Sequence, residues 1–536
     1  MRLSGVDRHD GRDIMHPEKI GIPLSSTPYN VAPKHIEGVI CMELQWNHTS
    51  WDYLKCLTRQ VQNQEQTLEV RISDGMPDIG RVICAWGQPI LRSKEWRSDG
   101  IGIAGGVSVW VLYAPEDGSE PQSVQAWLPF TGKWPVSDSR REGIIQADVM
   151  LRGVDARTLS ARKLMVRANL GLLGCALEPE QADIYEPGEL PEQVYVWKKT
   201  YPVNMDVEAG EKLLSLEESF SLPISAVKLL SCRIRPQLTE QTVAGSRIIL
   251  RGTAYADAIY LDDMGNIQQQ TLELPFAQFA DLDREYDKEA TAAVSAAVSN
   301  LEPELTENGL HIKCGLVAQY MIRQQRLLHL AEDAYSPHRI VTPNIQQLRL
   351  PAVLECRREY RQITQKMDAM PCDPVSAFCL PDHPTVYRET DRTSVELPGC
   401  MGLIYRDGDG ALQYLQEPWA DNFCVPAADD GKTEVNIGCI QPVEVRLTGD
   451  GVEITGQIQL DMRTMTQLEV PMVCGMEIGE VIQPDPSRPS VLLQRMGQQD
   501  LWNIAKDTGS TVEAIWQANG LQEEPVPGQM LLIPIL

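Results

Sequence analysis

Paired cysteines are missing from this sequence, although cysteine itself is not rare. The 13 cysteines include no Cys-x-x-Cys pair, and the nearest two are Cys372 and Cys379. The eight histidines never fall at ligand spacing with a cysteine. Zinc sites in proteins use such spacings, so we expect no metal site. Most of the cysteines lie in apolar runs, which is typical of buried reduced thiols in a cytosolic protein.

The sequence also has few positively charged residues relative to negatively charged ones. The chain has 48 Lys and Arg against 74 Asp and Glu, which leaves a formal net charge of −26. The basic residues are scattered, and no local basic patch interrupts the acidic background. Because a polyanion is repelled by phosphate backbones, we expect no nucleic-acid partner.

No apolar run is long enough to cross a bilayer. The best candidate, residues 100–114, is too short and alternates in polarity. Residues 1–14 are charged throughout and no apolar run follows them, so we expect no secretion signal. We expect the protein to begin at either Met1 or Met15. We therefore expect a cytoplasmic protein with no membrane insertion.

Catalytic signatures are absent as well. The sequence contains no Gly-x-Ser-x-Gly nucleophile elbow and no Gly-x4-Gly-Lys-Ser/Thr phosphate loop. Acidic glycine turns such as residues 407–410 lack the twelve-residue calcium pattern and its closing Glu. We expect a non-catalytic protein, with no catalytic residues and no cofactor.

The most informative feature that is present is an internal repeat of about 146 residues. An apolar strand ending in Tyr, an acidic Gly turn and a second strand ending in an aromatic residue occur three times. The copies occupy residues 105–130, 251–276 and 398–419. Their tyrosines, which step by 147 and 145 positions, are Tyr113, Tyr260 and Tyr405. Apolar-Pro pairs upstream keep a similar step, with prolines at Pro77, Pro223 and Pro371.

Each copy also carries a later hairpin. In the second and third copies the hairpin turns at Asn308-Gly309 and Asp450-Gly451, pairs that supply the positive φ values of tight turns. The Ala-rich stretch 289–298 has a helix-forming composition. Its counterpart 433–440 is strand-like, so the repeat favours a strand in both places. We predict a mainly β protein with three tandem antiparallel β-domains, each a sandwich or an open barrel.

The repeats resemble the SPOCS domain, which is found in spore-coat and spore-envelope proteins of endospore-forming bacteria. The resemblance rests on Pro77-Asp78-Ile79-Gly80, on the strand ending in Tyr, on the acidic Gly turn, and on Pro-Phe at 129–130 and 275–276. It covers roughly residues 40–480. The third copy departs most, because Glu417-Pro418-Trp419 replaces Leu-Pro-Phe.

The last 46 residues have a different pattern, which predicts strand, helix, helix and strand. Asp500 is expected to cap the first helix. Ser510-Thr511-Val512-Glu513 reads as a capping box for the second helix. Asn519-Gly520 reads as its left-handed stop. The strands are expected at 491–494 and 530–533.

This segment is similar to a LysM domain. The matched residues lie within 501–506, 511–515, 518–521 and 527–534. LysM domains bind N-acetylglucosamine glycans of peptidoglycan or chitin, in a groove between the loop before helix one and the loop after helix two. Carried over, the groove would use Gln498, Gln499, Asp500 and Leu501 on one side, and Asn519, Gly520, Leu521 and Gln522 on the other. The family's usual Gly-Asp-Thr is replaced here by Gln498-Gln499-Asp500.

The two tryptophans of this segment are predicted to differ in burial. Trp502 is expected in the core. Trp516 follows the buried-stripe residue Ile515 on the helix, so it is predicted to be exposed and to contact a protein partner. Partial burial of Trp516 against the repeats is the alternative.

The combination of SPOCS-like repeats with a LysM domain implies a non-catalytic adaptor in spore-envelope assembly. The resemblance places it in the mother-cell cytosol at the forespore surface, with its LysM domain bound to a spore morphogenetic ATPase. The alternative is a protein that binds peptidoglycan glycan. The predicted organisation is a partly disordered arm at 1–35, β repeats at 36–190, 191–340 and 341–482, a Pro-rich linker at 483–490, and the LysM domain at 491–536.

Overall fold

The computed structural model describes residues 46–137, 142–307, 309–369, 373–426, 431–440, 442–449, 451–483 and 485–536. The arm predicted at 1–35, the turn residues Asn308 and Asp450, and Pro371 and Cys372 lie outside these ranges. Strands make up 78% and helices 3% of the structure. The prediction of a mainly β protein is therefore confirmed.

The first repeat forms two three-stranded antiparallel sheets. Its strands are β1 (Trp46–Arg71), β2 (Ile79–Arg97), β3 (Gly100–Pro115), β4 (Gln122–Pro135), β5 (Ile144–Ser160) and β6 (Lys163–Pro187). The sheet orders are β1-β6-β5 and β2-β3-β4. The last strand thus returns to lie between the first and the fifth, which closes the repeat on itself.

The second repeat follows the same plan with one strand fewer. Its strands are β7 (Tyr195–Phe220), β8 (Ala226–Asp262), β9 (Ile267–Tyr286), β10 (Thr291–Thr306) and β11 (Gly309–Tyr335). The sheets are β10-β11-β7 and β8-β9. Strand β8 takes the place of both β2 and β3, because it turns back on itself at Gly245, whose φ is 63°. Across this turn the Thr239 hydroxyl donates to the Arg251 carbonyl at 3.2 Å. The Ala-rich stretch lies in β10, so its assignment as a strand is confirmed.

The third repeat keeps the plan but divides two of its strands. Its strands are β12 (Arg339–Met367), β13 (Asp373–Pro381), β14 (Thr385–Arg388), β15 (Arg392–Arg406), β16 (Leu412–Pro426), β17 (Lys432–Ile440), β18 (Glu444–Thr448) and β19 (Gly451–Val481). One sheet has the order β12-β19-β17 with β18 also on β19, and the other has β13-β15-β14 with β16 also on β15. Pro384 precedes β14 and Pro442 precedes β18. Proline cannot donate to a ladder, so each strand is interrupted there.

The repeated tyrosines are structural. Tyr113 and Tyr260 are fully buried, and Tyr405 is half-buried. The Tyr113 hydroxyl donates to the Pro77 carbonyl at 3.0 Å, which joins the two sequence markers of the first repeat. A buried phenol needs such a partner. The tyrosine therefore pins the start of the second strand to the end of the third.

The third strand of each repeat is buried on both faces. In β3, Val109 and Val111 point into the core of the first repeat, while Trp110 and Leu112 point into a second cluster. That second cluster also contains side chains of the other two repeats, namely Leu230, Ile259, Leu261, Ile267, Ile404 and Leu412. The three repeats consequently share this apolar contact region. The core of the second repeat also includes side chains of the other two, such as Ile184 and Leu350.

A chain of buried ions also joins the repeats. The Arg463 guanidinium on β19 donates to Asp206 on β7 at 2.9 Å and to Glu434 on β17 at 2.8 Å. Arg323 on β11 binds the other Asp206 oxygen at 3.0 Å, and Arg59 on β1 lies 3.2 Å from Glu434. The side chains of Asp206 and Glu434 are 7% and 6% exposed. Each carboxylate therefore depends on its arginines for compensation of its charge.

Replacement of Asp206 by alanine is expected to destabilise the protein strongly. The substitution leaves Arg323 and Arg463 buried beside each other without their shared carboxylate, which costs about 3–5 kcal/mol. Denaturant unfolding measures this loss. The control is Glu469→Ala, which breaks the exposed Arg349–Glu469 pair (62% and 50% exposed) and should cost at most about 1 kcal/mol. Equal losses in the two variants would contradict the assignment.

Acid should weaken the same chain of ions. Burial alone would raise the pKa of Glu434, but Arg463 and Arg59 outweigh it and hold the pKa below the ordinary value of 4.5. A lowered folded-state pKa gives stability that is present above the unfolded pKa and is lost as the pH falls through the folded one. We expect Glu434→Gln to be less stable than the parent protein at neutral pH, and its stability to fall less steeply below about pH 4.5. If the free energy of unfolding fell with pH at the same slope in both proteins, this account would be contradicted.

Candidate functional site

The C-terminal segment folds as strand, helix, helix and strand, as predicted. Its elements are β20 (Val491–Arg495), α1 (Leu501–Thr508), α2 (Val512–Asn519) and β21 (Met530–Pro534). Strands β20 and β21 pair antiparallel. The helices and the inner face of this ribbon enclose a small core of Leu501, Ile504, Ala505, Ile515, Leu531 and Ile533. The apolar spacing of α1 and the alternation of β21 generate this core directly.

The helix ends confirm two of the predicted signals and correct one. The Asp500 carboxylate accepts from the Asn503 amide at 2.8 Å, and Gly520 ends α2 with a φ of 58°. The predicted capping box is wrong by one residue. Thr511, not Ser510, caps α2 by accepting from the Ala514 amide at 3.1 Å. Glu513 is exposed and accepts from Gln517 instead of reaching back.

The first side of the predicted groove divides into exposed and structural residues. Gln498 and Gln499 are exposed, so their amides are free to meet a ligand. Asp500 is half-buried and occupied by its cap. Leu501 is buried in the small core. Two of the four residues on this side thus support the loop rather than present a side chain.

The second side divides in the same way. The Asn519 amide donates to the carbonyls of Ile515 and Leu532 at 2.8 and 2.6 Å, and its oxygen accepts from the Leu532 amide at 2.7 Å. Asn519 therefore ties the loop after α2 to β21. Leu521 packs against the small core, which leaves Gly520 and Gln522 exposed. The sequence pattern identified these residues but not which of them have structural roles.

The outer face of the β20–β21 ribbon was not singled out from the sequence. Side chains alternate across a strand, so the residues between the core positions face outwards. Leu493 and Leu532 are directly opposite each other across the ribbon. The four apolar side chains on this face, with exposed fractions of 49%, 64%, 49% and 44%, are Val491, Leu493, Met530 and Leu532. The sequence does indicate this face, because consecutive apolar residues at 491–493 and 530–533 place apolar side chains on both sides of each strand.

Trp516 is half-buried rather than fully exposed. It packs against the small core of the C-terminal segment from α2. One part of its ring therefore stabilises the domain and the rest remains at the surface. Its assignment as a partner contact stays a prediction.

The C-terminal segment is fastened to the second repeat through α1. Asp333 at the end of β11 accepts from the Trp502 indole at 2.9 Å and pairs with Lys506 at 2.8 Å. The Trp502 ring lies 6.0 Å from that of Trp197 and 4.8 Å from that of Tyr335. Trp502 is thus half-buried at this interface. The prediction that it lies in the core is correct only in part.

A second hydrogen bond fixes the orientation of the same interface. The Tyr335 hydroxyl donates to the Ser510 carbonyl at 3.1 Å. Burial raises the pKa of Tyr335, so the phenol stays protonated and can donate. The linker adds a further contact, since Arg488 donates to the Thr508 carbonyl at 2.8 Å. The segment is held at both ends of α1.

In the part of the chain that the structure describes, no group of three or more His, Cys, Asp or Glu residues could hold a metal ion. No helix among the described residues is long and apolar enough to cross a membrane.

Residues 499–534 match the LysM domain family. No curated protein matches the sequence, and no solved structure matches the chain. The predicted LysM domain is therefore confirmed. The resemblance of the three repeats to the SPOCS domain stays a prediction.

Replacement of Asp333 by alanine is expected to release the LysM domain from the second repeat. The change removes the shared acceptor of Trp502 and Lys506, which costs about 1–3 kcal/mol of docking free energy. Amide hydrogen exchange should then accelerate in the linker and at the end of β11, while the core of the domain stays protected. The matched control is Asp507→Ala, an exposed acid on the same helix. Unchanged exchange in the Asp333 variant would rule out this anchoring.

Proposed function

We propose that the chain is a non-catalytic adaptor in spore-envelope assembly and that its LysM domain binds a protein partner. By the SPOCS resemblance, the partner is a spore morphogenetic ATPase, and the site of action is the mother-cell cytosol at the forespore surface. The acidic surface and the sequence's lack of catalytic signatures support a binding role over an enzymatic one. The LysM domain is the part of this account that the family match supports.

The observation that carries the choice of a protein partner is the apolar outer face of the β20–β21 ribbon. Leu493, its most exposed residue, is 64% exposed and adjoins Leu532 across the ribbon. Contiguous exposed apolar side chains mark surfaces that bind another protein. A partner with a complementary apolar surface would remove these side chains from water.

The docking of the LysM domain suits an adaptor. Trp502 and Lys506 hold α1 against Asp333, and the ribbon face lies among the exposed parts of the domain. A partner bound there would be held in a fixed orientation relative to the three repeats. A rigid connection also lowers the entropy that assembly must overcome.

A glycan is the second candidate ligand, and the LysM match favours it. The exposed amides of Gln498, Gln499 and Gln522 can donate to and accept from the acetamido groups of N-acetylglucosamine. Leu501 and Leu521 would support the loops from beneath. The ligand would then be peptidoglycan or chitin, with the groove rather than the ribbon as the binding surface.

Two double variants of the full chain separate these candidates. Leu493→Ser with Leu532→Ser alters the ribbon, and Gln498→Ala with Gln522→Ala alters the groove. We expect the ribbon variant to bind the purified morphogenetic ATPase at least about tenfold more weakly, because burial of two leucines is lost. The groove variant should bind it as the parent protein does. Biolayer interferometry measures the affinities.

Sedimentation with insoluble peptidoglycan and with chitin beads completes the comparison. The adaptor account expects no retention of the parent protein. Leu213→Ser, which alters an exposed leucine (67%) of the second repeat, controls for a general loss of apolar surface. Retention on glycan that disappears only in the groove variant, together with no affinity for the ATPase, would replace the adaptor by the glycan-binding candidate.

A further inference from the structure

A cavity of about 490 Å³ lies where the three repeats meet. Most of its lining comes from the second-strand and fifth-strand regions of the three repeats, namely residues within 87–91, 148–151, 233–236, 296–298, 374–381 and 437–445. The second repeat adds Asp257, Gln269 and Thr271. Its size falls in the range of small-molecule binding sites, which is roughly 300–1,000 Å³. The cavity is remote in sequence from the LysM domain and has no role in the proposed adaptor function.

Equivalent positions of the three repeats line the cavity, and at one such position the second repeat has a different type of side chain. Pro89, Pro236 and Pro381 line it and step by 147 and 145, as the repeated tyrosines do. Three positions before each of them stand Trp86, Arg233 and Phe378. Two repeats thus place an aromatic ring at this position, and the second repeat places a guanidinium there.

The Arg233 guanidinium lines the cavity as an unpaired cation. Among the described residues it has no ion pair and no hydrogen bond, and its nearest ring contact is Phe378, whose centroid lies 5.1 Å away. Desolvation lowers the pKa of Arg233, and the nearby Asp257 carboxylate only partly offsets this effect. A half-buried cation without an ion-pair partner costs stability, and a bound anion would restore it.

The neighbouring Arg235, unlike Arg233, has its positive charge paired with a carboxylate. Arg235 holds Asp257 with two hydrogen bonds, at 2.6 and 3.1 Å, and Thr271 donates to the same carboxylate at 2.9 Å. Asp257 is therefore fully occupied by Arg235 and Thr271. Outside this pair the cavity is lined by one more cation, Arg233, and one more carboxylate, Asp148, and no ion pair joins these two described residues.

We propose that this cavity binds a small carboxylic acid with an apolar body. The planar guanidinium of Arg233 presents parallel donors that match both oxygens of a carboxylate. The rest of the ligand would lie against Phe378, Val298, Val375 and Leu151, which line the cavity. Burial of the apolar body supplies affinity, and the charge-assisted pair supplies selectivity for the acid.

Isothermal titration of the full chain with decanoate and with naphthalene-2-carboxylate tests the proposal. Binding of at least one acid is expected. Arg233→Met keeps the length of the side chain and removes its charge, so it should weaken binding of that acid by about tenfold or more. The neutral analogue naphthalene-2-methanol should bind the parent and the variant equally. Arg349→Met, at an exposed arginine (62%), is the matched control and should change nothing.

A second variant tests the location without touching the charge. Ala296→Phe puts a ring into the cavity from its wall, so it should abolish binding of the acid while the protein stays folded. Circular dichroism and the unfolding midpoint check the fold of each variant. Either of two outcomes overturns the proposal: no heat of binding with both acids, or parent-like binding by Arg233→Met and Ala296→Phe.

Discussion

The structure depends on the burial of both faces of the third strand in each repeat. A strand in an ordinary antiparallel sandwich buries one face and shows the other to water. Here Val111 contributes to the core of its own repeat and Leu112 to the region shared with the other two. Leu403 and Ile404 divide in the same way in the third repeat. An isolated repeat would expose its outward apolar residues, so we expect the three repeats to be stable only together.

This constraint explains where the polar features lie. With the third strands packed together, some charges on the remaining strands are paired across the boundaries between repeats, as Arg463 is with Asp206. The cavity lies at the same meeting point, and there Arg233 is left without a carboxylate of its own. The LysM domain is added at the end of β11 through Asp333, outside the shared region. The surface proposed to bind a partner and the proposed ligand cavity therefore lie in different parts of the protein.

The sequence predicted two kinds of feature well. The two-helix C-terminal domain follows from short-range periodicity and capping residues, whereas the tyrosine markers and the strand in the Ala-rich stretch follow from the internal repeat. Features that depend on contacts between distant segments were not predictable. Nothing near Trp502 in the sequence indicates that its indole meets Asp333, and nothing near Asn519 indicates its bonds to β21. The capping error at Ser510 has a different origin, since two adjacent hydroxyl residues can each fit the pattern.

Native-state hydrogen exchange of the third strands is the most direct test of the account. If the shared apolar region unites the repeats, amides of β3, of residues 251–262 in β8 and of β15 will exchange with one common free energy, which will fall together as denaturant is added. Three separate free energies, with the strands of one repeat released while the others stay protected, would contradict the claim that the repeats are stable only together.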